Sequence, residues 1–205
     1  MIQNWLYNAL IKKTTNAGYG CFFENVVPQS KILDIGIGNG VMLHQYHSNI
    51  RDLRLSIEGI DLNKHYLKQC QKLIEHYNLE SQIKLERLDF LATPIPSCFD
   101  YVFFSMSFML FPDQRKALDI ATAMLNPGGQ IIFGLTIQMK ESRTLEFLKP
   151  KLKYISTIDF GKVTYEEEFL NLMEEKQLKI LKRRSLHKIS SNSEFQVFFT
   201  QREKI

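Results

Sequence analysis

The chain has 205 residues, 44% hydrophobic and 23% charged, which suits one well-cored domain and is short for two. Its 26 Lys and Arg against 22 Asp and Glu leave a net charge of +4, which permits an anionic partner without requiring one. No apolar run reaches membrane-span length and no secretory pattern opens the chain. The three scattered cysteines (Cys21, Cys70, Cys98) have no metal-ligand spacing, and together these features point to a reducing cytoplasm.

Trp5, Leu6, Ala9 and Leu10 fall at helical spacing, so residues 2–13 are expected to form an amphipathic helix. Residues 14–28, with Gly18 and Gly20 around Tyr19, read as irregular. A first strand over about 31–34 precedes a helix over 41–47. Residues 53–61 read as a second strand, and 63–77 as a helix with Tyr66, Leu67, Cys70, Leu73, Ile74 and Tyr77 in one apolar stripe. A third strand covers 82–88, and the nearly all-apolar run 100–107 suits a strand buried on both faces. A helix over 113–125 stops at Asn126-Pro127-Gly128-Gly129, before a fifth strand over 130–136. Strands alternating with helices imply a parallel sheet covered on both faces. The rhythm then breaks until Tyr165, and so long a connection inside a compact domain usually carries function. A helix over 166–177 follows, and 179–187 with 194–202 form a hairpin around Ser190-Ser191-Asn192-Ser193.

The densest signal is Ile32-Leu33-Asp34-Ile35-Gly36-Ile37-Gly38-Asn39-Gly40. It reads as a buried strand that ends in an acid and breaks into a glycine-rich turn. Glycines let the backbone bend sharply and approach a ligand, and the helix that follows offers free N–H groups. A dinucleotide fingerprint wants its last small residue one position later, where Val41 stands. The pattern D-x-G-x-G-x-G instead resembles the first motif of the class I S-adenosylmethionine-dependent methyltransferases. Three further landmarks follow in that family's order: Gly59-Ile60-Asp61-Leu62-Asn63, the strand Phe99 to Ser107, and Leu125-Asn126-Pro127-Gly128-Gly129.

The resemblance covers about residue 31 to the C terminus. It implies an α/β fold: a Rossmann-like, doubly wound, seven-stranded, mostly parallel sheet with an antiparallel last strand and helices on both faces. The chain 1–205 would be a single domain, with 1–30 as an N-terminal helical cap and 137–164 as an insertion near the active face. The implied cofactor is S-adenosyl-L-methionine, with S-adenosyl-L-homocysteine as product. Asp61 would take the ribose hydroxyls with Leu62 beside it, although the same residue could cap the next helix. Asp89 would take the adenine amine with Phe90 along the ring, or simply begin a turn. Asp34 would orient the loop and the methionine amino group, Gly36, Gly38, Asn39 and Gly40 would cradle the cofactor, and Ser105 and Tyr19 would contact it.

Methyl transfer from a sulfonium needs alignment more than a base, so no catalytic dyad is required. Among the histidines only His187 is expected near the active face, as a candidate base; His44, His47, His65 and His76 fall on helices. Ser105-Met106-Ser107-Phe108 stands where amino-directed DNA methyltransferases carry a Pro-Pro pair, and no cysteine follows a proline, which argues against DNA. The apolar loop 106–112 and the aromatic residues Trp5, Tyr7, Phe147, Tyr154 and Phe160 favour a small apolar or aromatic acceptor, methylated at O, N or S. No metal and no membrane are implied, and a homodimer is allowed. An RNA or protein acceptor, a non-catalytic binding domain and an NAD enzyme remain as rivals. The cluster Lys179, Lys182, Arg183, Arg184 and Lys188 could serve RNA, but strand alternation splits it between two faces and favours a solvated edge.

Overall fold

The computed structural model describes residues 2–93, 95–96, 98–140 and 162–203, with side chains from residue 12 onward. In chain order the elements are α1 (Ile2–Phe23), β1 (Lys31–Ile35), α2 (Leu43–Asp52), β2 (Ser56–Asp61), α3 (Lys64–His76), β3 (Ile83–Arg87), β4 (Phe99–Ser105) and a 3-10 turn (Phe108–Leu110). They continue with α4 (Gln114–Ala123), β5 (Leu125–Gln138), β6 (Thr164–Tyr165), α5 (Glu166–Glu175), β7 (Leu178–Ser190) and β8 (Ser193–Arg202). Asn63 and Asp113 are N-caps whose side chains accept backbone N–H groups, so α3 and α4 begin one residue after the expected positions.

The main sheet runs β3-β2-β1-β4-β5-β8-β7. Its strands are parallel except β8, which is antiparallel to β5 and β7. The two-residue β6 adds an eighth strand beside Ile137 and Gln138 of β5. Strand order reverses between β1 and β4, which opens a crevice at their carboxyl ends. Residues 141–161 of the expected insertion lie outside the described residues, as do Phe147, Tyr154 and Phe160. No helix among the described residues is long and apolar enough to cross a membrane.

Side-chain alternation divides the core. Ile32, Tyr101, Phe103, Ile132 and Phe195 pack under α1–α3, whereas Leu33, Val102, Phe104, Phe133 and Phe198 pack under α4 and α5. The helix α1 corrects the expectation that residues 14–28 are irregular. It continues through both glycines because α1 lies too close to its neighbours for larger residues. A Cβ at Gly18 would lie 3.1 Å from the Phe195 ring, and one at Gly20 would lie 2.6 Å from the Tyr46 hydroxyl. Along α1, Phe22 stacks on Phe103 at 4.9 Å and meets Tyr101 edge-on.

The Asn126-Pro127-Gly128-Gly129 landmark falls inside β5, as an excursion between the Leu125–Phe99 and Gln130–Tyr101 pairs. Asn126 Nδ2 donates to Asp100 Oδ1 at 2.8 Å, and Lys31 N donates to Asp100 Oδ2 at 2.8 Å. The landmark therefore clamps the amino ends of β1, β4 and β5, opposite the crevice. At the far edge, β7 carries the basic cluster. Arg184 pairs with Glu24 at 2.9 Å and Lys182 reaches Asn25 on one face, while Arg183 pairs with Glu166 on the other. That is the split the alternation predicts.

Candidate active site

The glycine loop leaves β1 at the crevice. Gly36, Gly38 and Gly40 all adopt positive φ (80°, 65° and 72°), where a side chain is strained. Their surroundings differ. A Cβ at Gly36 would meet Ser107 Cβ at 2.7 Å, and one at Gly40 would meet Cys70 Sγ at 2.6 Å. At Gly38 the nearest atom would be a backbone oxygen 3.9 Å away. Two glycines lock the loop against the protein, and the middle one faces open space. Asn39 braces the turn by accepting Val41 N–H, and Ser107 Oγ donates to Ile35 O, tying the exit of β4 to β1.

Asp61 ends β2 beside this loop. Its Oδ2 accepts Gly38 N–H at 3.0 Å and its Oδ1 accepts Asn63 N–H at 2.7 Å. The carboxylate is half-buried and keeps lone pairs free on each oxygen for further donors. Leu62 beside it is 63% exposed. Asp89 is exposed and accepts Leu91 N–H at 3.0 Å, so it does begin a turn. The Phe90 ring, expected along a ligand face, is instead buried edge-on against Phe104 and Phe111. An apolar ring at the end of β3 gains more from the aromatic cluster under α4 than from a half-open cleft.

Asp34 is 2% exposed, and Tyr19 donates to its Oδ2 at 2.6 Å. Burial pushes the Asp34 carboxyl up to about 7, opposed by the Tyr19 hydrogen bond and aided by the Asp61 charge. Burial and the Asp34 charge likewise hold the Tyr19 phenol well above 10.0. Asp34 Oδ1 has no hydrogen-bond partner. Neither have Ser105 Oγ and Asn16 Oδ1, and no other buried side-chain nitrogen or oxygen among the described residues lacks one. Asn16 was not anticipated. The signal was there: Asn16 and Tyr19 stand three residues apart, one face of one helix, once the glycines are read as close contacts.

The loop after β4 is mostly core, since Phe108 and Met109 are buried, but Leu110 remains 44% exposed. With Leu62 and Met139 (42% exposed) it gives apolar surface at the carboxyl ends of β2, β4 and β5. His187 does not join the site. It lies on the edge strand β7, four strand spacings from β1, or ~19 Å at about 4.8 Å each. The sequence order of strands hid this, because β8 is inserted between β5 and β7. His44 and His47 contact Tyr77 on the outside of α2 and α3, as surface residues.

A family model described as a methyltransferase domain matches residues 32–129, the stretch that contains the glycine loop, Asp61, Asp89 and the Asn126 clamp. The chain thus carries a methyltransferase domain, on the fold of the class I S-adenosylmethionine-dependent enzymes. A ubiquinone/menaquinone biosynthesis C-methyltransferase, UbiE, from Rickettsia massiliae is 30% identical over 123 residues, 58% of this chain and 50% of that protein. The chain thus spans about half the length of such curated relatives. Among solved structures, the geranyl diphosphate C-methyltransferase of Streptomyces coelicolor, held with S-adenosyl-L-homocysteine, matches with TM-score 0.72 at 12% identity, covering 91% of this chain and 76% of that one. The [4+2]-cyclase SpnF matches with TM-score 0.68 at 13% identity, over 86% and 76%.

The residues of this methyltransferase domain fit the family's cofactor. The open cradle at Gly38 takes a flat or narrow group against backbone, Asp61 offers acceptor oxygens to a diol, and unpartnered Asp34 Oδ1 awaits a donor. When bound, S-adenosylmethionine supplies a methyl group on a positively charged sulfur, already activated for displacement.

Proposed function

We propose that the chain methylates a small, apolar or aromatic acceptor. The observation that carries this is the juxtaposition, at one end of the sheet, of the open Gly38 cradle gripped by Asp61 and the apolar surface of Leu62, Leu110 and Met139. Asp61 fixes the loop and receives the ribose; Asp89 and Leu62 bound the adenine side; α1 and its Tyr19 shield the buried end from water. Positioning does most of the work, because in-line attack on an activated methyl needs aligned reactants above all. Oxygen, nitrogen and sulfur are the expected attacked atoms, and the C-methyltransferase names of the Rickettsia relative and the Streptomyces neighbour add carbon to the acceptors worth testing.

RNA is a weaker reading, because Arg183 and Arg184 of the basic strand are already paired with Glu166 and Glu24. Binding without methyl transfer is the other rival, since one fold carries many chemistries. The free thiols of Cys21, Cys70 and Cys98 favour a reducing, cytoplasmic setting. Calorimetry with S-adenosylmethionine, S-adenosylhomocysteine and NAD tests the reading. Micromolar binding of both sulfur ligands and none of NAD is expected, followed by methyl transfer in a screen of phenolic, quinol and amine acceptors. Failure to bind either sulfur ligand would overturn it.

A further inference from the structure

The sheet ends in two unlike edges. On one side β7 runs for 13 residues, and its register against β8 shifts at Ile180/Lys182, Ser185/His187 and Lys188/Ser190. Such bulges spoil a strand as a template for another chain. On the other side β3 follows β2 without a shift from Ile83 to Arg87, and no strand among the described residues lies beyond it.

The parallel ladder fixes which way each backbone group of β3 points. Ile57 N–H donates to Gln82 O at 2.7 Å, so Gln82, Lys84 and Glu86 turn their groups toward β2, while Ile83, Leu85 and Arg87 turn theirs outward. Ile83 N–H is taken by Leu79 O at 2.9 Å. Among the described residues, Ile83 O, Leu85 N, Leu85 O and Arg87 N have no hydrogen-bond partner.

We propose that β3 is a self-pairing edge, through which two copies of this chain join their sheets about a two-fold axis at Leu85. With the second β3 antiparallel to the first, the two Leu85 residues exchange both N–H···O bonds, and each Arg87 N–H reaches Ile83 O of the other copy. Lys84 of each copy then stands opposite Glu86 of the other, on one face of the joined sheet. Both side chains are exposed, and a groove of about 300 Å³ lined by Glu58, Ile60, Lys84, Glu86 and Ile95 gives them room. Charges on an edge strand normally repel a like strand, but these stand in the order that a two-fold axis makes attractive. Five residues make a join smaller than the roughly 800 Å² per partner of a lasting interface, so a reversible, micromolar dimer is expected. The two sheets run in opposite directions across the join, which leaves both β1–β4 crevices open at opposite ends.

Sedimentation velocity tests this without any ligand. Wild-type protein is expected to pass from monomer to dimer between about 1 µM and about 300 µM. Lys84→Glu and Glu86→Lys each set two pairs of like charges across the axis, and each should weaken the dimer about tenfold or more. Both positions are exposed, so both variants should fold. Mixed in equal amounts, the two variants restore both attractive pairs, so the mixture should dimerise like wild type although neither variant does so alone. A wild type that stays monomeric throughout, single variants that dimerise like wild type, or a mixture no tighter than its components overturns the proposal.

Discussion

The two acids of the cradle are built in opposite ways. Asp61 takes both its hydrogen bonds from backbone N–H groups, one from the loop and one from two residues ahead in its own chain. Asp34 takes its one bond from Tyr19, on a helix that shares no strand with it, and keeps an oxygen unpartnered in the protein interior. The first is a finished piece of local architecture. The second leaves one oxygen unsatisfied in the protein interior, and that difference sets what each should do when removed.

The largest effect is expected from Asp61→Ala. It frees Gly38 N–H and Asn63 N–H and removes the ribose acceptors, so S-adenosylhomocysteine should weaken about 100-fold. A smaller loss than that of Asp34→Asn would break the comparison.

Asp34→Asn sharpens it. The carboxyl ionises near 7 in the fold and at its ordinary 3.8 when unfolded, so the folded chain carries an extra proton between those values. Stability of the ligand-free protein should therefore fall as pH rises from about 4 to about 7. Tyr19, Asp61 and the Cys70 thiol, itself pushed up to about 12 by burial, are the groups that face the same carboxyl. Asp34→Asn should remove that slope and raise the melting temperature at pH 8, by an amount bounded by about 4 kcal/mol, while weakening S-adenosylhomocysteine. Denaturation curves at pH 5, 6.5 and 8 decide it, and a variant less stable than wild type at pH 8 would show that Asp34 is satisfied without a ligand. In the wild type, S-adenosylhomocysteine should bind more weakly at pH 6 than at pH 8, with the change centred near 7.

The smallest effect should come from Gly20→Ala. The new methyl meets the Tyr46 hydroxyl and pushes α1 off α2, at a cost of about 1–3 kcal/mol. Thermal melts should shift by several degrees, and ligand affinity should fall only to the extent that Tyr19 moves with the helix.

These same contrasts explain what the sequence disclosed. The glycine turn, the parallel strands and the antiparallel last strand were legible, because a turn's signal is local and strand burial follows from alternation; the lateral place of the last two strands was not. The Asn126 turn was legible as a landmark, though its purpose, a clamp on Asp100, needed coordinates. Tyr19 was flagged for the right neighbourhood with the wrong local structure, since glycines that permit close packing look the same in sequence as glycines that break a helix. His187 was misplaced because an antiparallel insertion changes lateral position without changing which end of the sheet a residue reaches. Asn16 was missed because burial without a partner is a property of the assembled fold.

The contact of Gly18 with Phe195 has a consequence for how the molecule is made. The helix α1 leaves the ribosome before the sheet it docks on, and one of those surfaces is β8, the last strand of the described chain. Until β8 has threaded between β5 and β7, α1 lacks the Phe195 ring on which Gly18 sits. Contacts so distant along the chain close late in folding. A chain that has not yet added β8 therefore lacks part of the surface that seats α1 and its Tyr19.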